Sequence, residues 1–528
     1  MSSDKQSAKG GVILMVTTML AGMLMGAVCM QTVSSRRSAR SGVDGKLGEV
    51  LRLVEREYVD QVATDSLGEL LVSAMLADLD PHSNYISAKE SEAANERYRG
   101  SFEGVGIILH REGDSTFVGS VMEGGPSDGL GFLPGDALVS ANGVDLTGLP
   151  ADSVVAALRG RRGTTVSVAL VHFDGRADTI RVRRGVVEQN SVVCCDMLDD
   201  TTGYIMLSSF TSASHREFRD ALSSLFERGM WHLVLDLRGN PGGAFESAIG
   251  IAGEFLPGGS LIVYTEGAHS KRHSSFARRD GMFTNGRVSV LVDENSASAS
   301  EVVSGALQDN DRATIYGRRT FGKGLVQRSF TLDDGSMVYL TVSRYYTPSG
   351  RCIQRPYTDG TDEYYRSYMQ LLLDEVYADT AVASVVDSTP YYTVHGRTVY
   401  GGGGIIPDVI LPYRNDPSFV YYNKLEATAV IRRAAFAHVR RNVSELYEKY
   451  PTAEAFRRKF TTSDEMVRSV ARLGEEVGIA VDEASLAKQR RLIGNMFKAF
   501  VGQSLYGDGL FYTIVRQEDD DIKQIMQQ

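Results

Sequence analysis

Leu233-Val-Leu-Asp-Leu-Arg-Gly-Asn-Pro-Gly-Gly243 is an apolar run that breaks into a glycine-rich loop. Leu233–Leu237 has the length and composition of a buried strand, and the glycines beyond it reach backbone conformations closed to other residues. Outward from this stretch, apolar runs recur at Gly203–Leu207, Val288–Val292 and Ala313–Tyr316, with helical stretches at Phe218–Phe226 and Ala299–Gln308 between them. Strands alternating with helices over residues 203–411 predict an α/β core.

The chain has 528 residues, which suggests three or four domains, and its 43% hydrophobic and 23% charged content suits a globular protein with a sizeable core. A net charge of −10 argues against nucleic acid as a partner. The four cysteines, Cys29, Cys194, Cys195 and Cys352, are too few for a disulfide scaffold. No CxxC or HExxH spacing occurs, so neither a metal centre nor a cofactor is expected.

Val12 to Met30 contains no Asp, Glu, Lys or Arg, close to the length a helix needs to cross a bilayer. Lys5 and Lys9 precede it and Arg36, Arg37 and Arg40 follow, so its flanks alone set no orientation. The favoured reading of residues 1–40 is an uncleaved anchor; a cleaved signal and a lipid anchor on Cys29 are the rivals. All three put the bulk of the chain outside the cytoplasm. Residues 43–98 read as mostly helical, with Leu47, Val50, Leu51, Val54, Tyr58 and Val62 at helical spacing and a turn signal at Asp80-Pro-His-Ser-Asn84. Residues 101–185 read as a small β domain with one helix near Asp152–Leu158. Beyond Pro412 the chain turns helical and charge-rich, and residues 416–528 are expected to be structural.

Three elements carry possible chemistry. The Arg238–Gly243 loop suits the holding of an oxyanion, a tight turn or an anion nest. Val288–Val292 ends in Asp293-Glu-Asn-Ser-Ala-Ser-Ala-Ser-Glu301, where a serine at the start of a helix reads either as an outward-aimed nucleophile or as a cap paired with Glu301. Lys323, in Thr320-Phe-Gly-Lys-Gly-Leu-Val-Gln327, is either a surface charge or a desolvated general base, with Gln327 four residues on to orient its amine.

In order and spacing these elements resemble the carboxy-terminal processing, or tail-specific, proteases, Ser–Lys endopeptidases carrying a PDZ domain. Further matching strings are Leu79-Asp-Pro-His-Ser-Asn-Tyr85, Tyr346-Thr-Pro-Ser-Gly350 and Gly404-Ile-Ile-Pro-Asp-Val409. The resemblance implies a mixed-sheet α/β protease core over 186–415, an inserted PDZ β domain over 101–185, and helical N- and C-terminal regions. It makes Ser298 the nucleophile, Lys323 the base 25 positions on (323 − 298) and Gln327 the residue that positions the lysine. It places the oxyanion donors on the backbone of Ala299, Gly242 and Gly243. Phe102-Glu-Gly-Val-Gly-Ile107 matches the PDZ carboxylate loop, which makes Val105, Gly106 and Ile107 the peptide-binding candidates. Arg159 is the candidate for coupling the PDZ domain to the catalytic part, and Arg318 and Arg319 are candidate positive neighbours of Lys323. Arg318 departs from the family, which more often has an acidic residue there.

The implied activity is cleavage of polypeptides selected through free C-termini, in the cell envelope, by an inner-membrane-anchored enzyme whose catalytic part lies in the periplasm or otherwise outside the cytoplasm. The alternative is a non-catalytic PDZ adaptor that keeps the protease fold. Helices before 98 and after 416 are the expected surface of a homodimer.

Overall fold

The computed structural model describes residues 43–377, 386–413 and 416–528. The segment Val12–Met30 lies outside them, and among the described residues no helix is long and apolar enough to cross a membrane. The chain divides into two compact units, 1–77 and 78–528. In the first, helices span Val43–Glu57 and Thr64–Ala77. The expected apolar stripe stops short, because Tyr58 closes the first helix on Val54 O (3.1 Å) and Val62 falls in the linker. Leu47, Val50 and Tyr58 are exposed.

The second unit is mixed α/β. Its central sheet has six strands in sequential order: β1 (Val192–Met197), β2 (Thr202–Leu207), β3 (His232–Asp236), β4 (Arg287–Val292), β5 (Thr314–Gly317) and β6 (Val409–Ile410). β1 runs antiparallel to β2, and all later pairings are parallel. Right-handed crossovers that always step the same way place their helices on one face. Accordingly α1 (Ser214–Glu227), α2 (Phe245–Gly253) and α3 (Ala299–Asp309) share a core with Leu233, Leu235, Val288, Val290 and Val292. The alternate residues Tyr204, Val234, Leu291 and Tyr316 point the other way, where Ile522 and Ile525 of the helix Asp520–Met526 cover them. A second sheet joins Asn84–Ile86, Met337–Tyr346, Leu261–Gly267, Ser270–Phe276 and Leu325–Thr331.

The PDZ domain has strands in the order Ile107–Glu112, Ser115–Val121, Ala137–Ala141, Thr165–Val171 and Ala177–Arg183, with the helix Ala151–Leu158. Ser101–Gly104 pairs antiparallel with Gly185–Glu188, so the chain enters and leaves through one two-stranded neck. Arg159 pairs with Glu96 (2.5 Å) and lies over the Phe102 ring, joining the domain to the helix Ala88–Arg99 beside the neck. The helical C-terminal region has its own core, centred on the helices Val430–Lys449 and Arg490–Tyr506. It also holds the PDZ domain. His110 stacks on Phe436 with centroids 3.8 Å apart, Arg440 lies 4.1 Å over the Phe117 ring, and Leu133 packs into the helical core.

Candidate active site

The two loops singled out by sequence leave the C-terminal ends of the neighbouring parallel strands β3 and β4, where open α/β sheets place their sites. They are stapled together. Ala297 N–H and Ser300 Oγ both donate to Asn240 O (3.0 and 2.9 Å), and Ser296 Oγ donates to Leu237 O (2.8 Å). Ser296 and Ser300 are thereby spent on holding the turn, whereas Ser298 faces a cavity between them.

Ser298 stands at the N-terminus of α3 with φ 54° and ψ −109°, a conformation that costs a non-glycine residue of order 1–3 kcal/mol. Its surroundings hold it there: Tyr345 Oη donates to Ser298 O (3.3 Å), and Ser298 N–H donates to Glu301 Oε2 (2.8 Å). Glu301, fully buried, also accepts from Thr320 Oγ1, Gly322 N–H and Lys323 N–H at 2.6, 2.7 and 2.9 Å. One carboxylate thus fastens both the serine turn and the lysine turn. Its own pKa is pushed up by burial, against the pull of these donors.

Lys323 Nζ donates to Gln327 Oε1 (2.9 Å), and Gln327 Nε2 in turn donates to His82 O. A bulge between Val326 and Gln327 lies in the strand that carries this glutamine, the kind of irregularity that re-aims a side chain. His82 is delivered by the Asp80-Pro-His-Ser turn, in which Asp80 accepts from the amides of His82 and Ser83 (2.8 Å each). Burial lowers the Lys323 pKa, with Glu301 and Asp80 pulling it partly back. The two arginines read as neighbours of this amine are elsewhere. Arg318 pairs with Glu294 (2.9 Å) and Arg319 donates to Gly403 O (2.9 Å), so desolvation rather than a nearby cation lowers the lysine.

The glycine turn abuts the serine: a Cβ on Gly242 would lie 2.9 Å from both Ser298 Cβ and Ala299 N. Of the three backbone donors expected, Gly242 N–H is already committed to Asn240 Oδ1 (2.9 Å). The Gly242 assignment is therefore corrected: Gly243 N–H and Ala299 N–H remain unengaged by protein acceptors among the described residues. Gly243 is held by a parallel bridge to Phe210, whose O accepts from Ala244 N–H (2.7 Å).

Ser298, Lys323, Gln327, Gly242 and Gly243 line one cavity of about 1800 Å³. Its walls come from three parts of the chain. Ile107 and Ile108 belong to the PDZ strand at the open edge of its sheet, and Tyr447, Leu505 and Tyr512 come from the C-terminal helices. Val105 is buried in the PDZ core, which leaves only its main chain for a ligand, and Gly106 O accepts from Met122 N–H (3.0 Å). Residues that sequence reasoning left out of the site are Asp80, His82, Asn240 and Tyr345. For the first two the signal was the turn motif itself, read as punctuation.

Fold and site together define an S41-type peptidase core with an inserted PDZ domain. Residues 201–362 match the model of peptidase family S41, 96–171 that of the PDZ domain, and 421–507 that of a family of unknown function. The chain is 30% identical over 346 residues to a probable CtpA-like serine protease of Staphylococcus saprophyticus, covering 65% of this chain and 69% of that protein. With the carboxy-terminal processing protease CtpA of Bacillus subtilis it shares 29% identity over 355 residues, 66% of this chain and 76% of that one. A probable CtpA-like serine protease of Staphylococcus epidermidis is 31% identical over 310 residues, 58% of this chain, and the match spans 62% of that relative's length. The chain belongs to the carboxy-terminal processing protease family.

Proposed function

We propose that the protein is a serine endopeptidase of the cell envelope that cleaves polypeptides selected through their C-terminal tails. The observation that carries this reading is Ser298, on a strained helix-start turn, facing the same cavity as a desolvated lysine amine. Neutral Lys323 takes the Ser298 proton as the hydroxyl attacks a peptide carbonyl, and Gln327 keeps the amine aimed. Ala299 N–H and Gly243 N–H meet the developing oxyanion, helped by the positive end of α3. The leaving amine receives the proton from Lys323, and water then hydrolyses the acyl-enzyme by the same base. The open edge of the PDZ strand Ile107–Glu112 adds the substrate tail as a further strand, with Val105, Gly106 and Ile107 at its carboxylate. Val12–Met30 serves as the inner-membrane anchor, and the helical ends supply a homodimer contact.

Ser298→Ala and Lys323→Ala are each expected to abolish cleavage of an unstructured polypeptide with an apolar C-terminal tail while leaving the far-UV circular dichroism unchanged. Near-normal turnover by either variant refutes the Ser–Lys assignment. Binding of tails by the wild type without any turnover supports a PDZ adaptor instead.

A further inference from the structure

The His82 ring has no part in the catalytic step described above, yet it is built into the support of the lysine. The main-chain O of His82 accepts from Gln327 Nε2, and Gln327 Oε1 accepts from Lys323 Nζ (2.9 Å). The ring itself meets Phe321, two residues before Lys323, edge to face with centroids 6.2 Å apart. Tyr364, buried on the helix Thr361–Tyr377, crosses the same ring at 89° and 5.4 Å, and its Oη lies 3.2 Å from His82 Nε2. Gln354 Nε2 donates to that tyrosine oxygen (3.5 Å), so the hydroxyl proton is left for His82 Nε2, an acceptor only in the neutral ring. Gln354 Oε1 in turn accepts from Gly324 N–H (2.8 Å), beside the lysine. The charged groups around the ring are Lys323, Asp80 and Arg355. Burial first and Lys323 next bring the His82 pKa down to about 4, with Arg355 adding and Asp80 opposing, which keeps the ring neutral. Arg355 is itself fixed, donating to Phe321 O (2.7 Å) and lying 4.1 Å over the Tyr364 ring.

We propose that His82 is a positioning residue: seated against Phe321 and hydrogen-bonded to Tyr364, its ring fixes the carbonyl that holds Gln327 and thereby sets the aim of the Lys323 amine. The proposal rests on the Ser–Lys reading above and adds the group that keeps the base in register. His82 does not line the cavity, so it acts on the lysine and not on a substrate. Without the ring the carbonyl loses its lateral support, Gln327 loses a fixed anchor, and water enters beside the amine. A catalytic group displaced by about 1 Å can cost on the order of a hundredfold in rate.

In the full chain, His82→Ala should lower kcat at neutral pH at least about tenfold with KM within about twofold of wild type. It should also move the rise of kcat/KM to higher pH, as the wetted amine regains the ordinary lysine range. A ring that served packing alone would lower stability and leave that profile in place. His82→Gln offers Oε1 to the Tyr364 hydroxyl and should restore most of kcat. Tyr364→Phe keeps every ring and removes only the hydroxyl, so it should move the profile in the same direction as His82→Ala and by less. The rate of Lys323 arylation by fluorodinitrobenzene against pH, read by mass spectrometry of its peptide, follows the amine's protonation without turnover. If His82→Ala does not fold, Tyr364→Phe carries the test through the same two readouts. A wild type without turnover in which these variants still move the arylation curve to higher pH keeps the positioning role and rejects the peptidase reading. Wild-type kcat, with an unmoved pH profile and arylation curve in every variant that folds, overturns the proposal and leaves the peptidase reading standing.

Discussion

Glu301 receives four donors on two oxygens, and they belong to the serine turn, the lysine turn and Thr320 between them. Glu301→Gln turns an NH2 group onto amides that already donate, leaving buried donors unpaired. The expected result is a loss of about 1–3 kcal/mol in urea-induced unfolding and at least a tenfold drop in kcat/KM. A variant with unchanged turnover shows that the carboxylate does not position the pair. Lys323 gives a pH prediction whose sign follows from its proposed role. A base works deprotonated, so kcat/KM rises with pH through the lysine's pKa, which burial sets below the ordinary lysine range. Lys323→Arg keeps its proton throughout the accessible pH range and should stay inactive across the whole profile. Ser298, Lys323 and Gln327 were singled out by the family resemblance, since spacing alone left Ser298 open to a capping role and Lys323 to a surface one; the structure brings the three to one cavity. The choice between Gly242 and Gly243 was not legible, since it depends on where the Asn240 side chain turns, and no spacing records that.

The strands β2 to β5 were legible as elements because parallel strands buried on both faces read as short continuous apolar runs. The hairpin Leu261–Phe276 and the long pairing of Leu325–Thr331 with Met337–Tyr346 were harder, being half exposed, with polar residues breaking each run. At this scale the decisive contact is that of the glycine turn with the strand end at Phe210. A Cβ on Gly243 would sit 1.9 Å from Phe210 O, with φ +139° in addition, so Gly243→Ala must displace the turn that carries the proposed oxyanion amide. Removal of one such donor typically costs about 10²–10³ in kcat, and Gly243→Ala should show that loss with KM little changed. A kcat within threefold of wild type removes Gly243 from the oxyanion pair.

Across the whole second unit, sequential parallel order leaves one face of the central sheet without helices, and the chain closes it with Asp520–Met526. Its first residues also reach the loop after β3. Arg238, between Asp236 and the glycine turn, binds Asp519 (2.7 Å) and Asp521 (3.1 Å), and Asp521 also lies 3.8 Å from Arg318. Arg318, paired first with Glu294 (2.9 Å), thus has Asp521 as a second acidic neighbour. None of this could be read beforehand, because a helix of seven residues shows too little periodicity to reveal its partner. Ile525→Ala should cost about 2–5 kcal/mol in chemical denaturation, as for a buried core isoleucine; a loss below 0.5 kcal/mol means the face is closed some other way. The closing helix is also made late. β6 ends at Ile410 and the helix begins at Asp520, so the ribosome adds roughly a hundred residues after the sheet is complete before its open face is sealed. Until that helix emerges, Tyr204, Val234, Leu291 and Tyr316 lack its cover and Arg238 lacks Asp519 and Asp521.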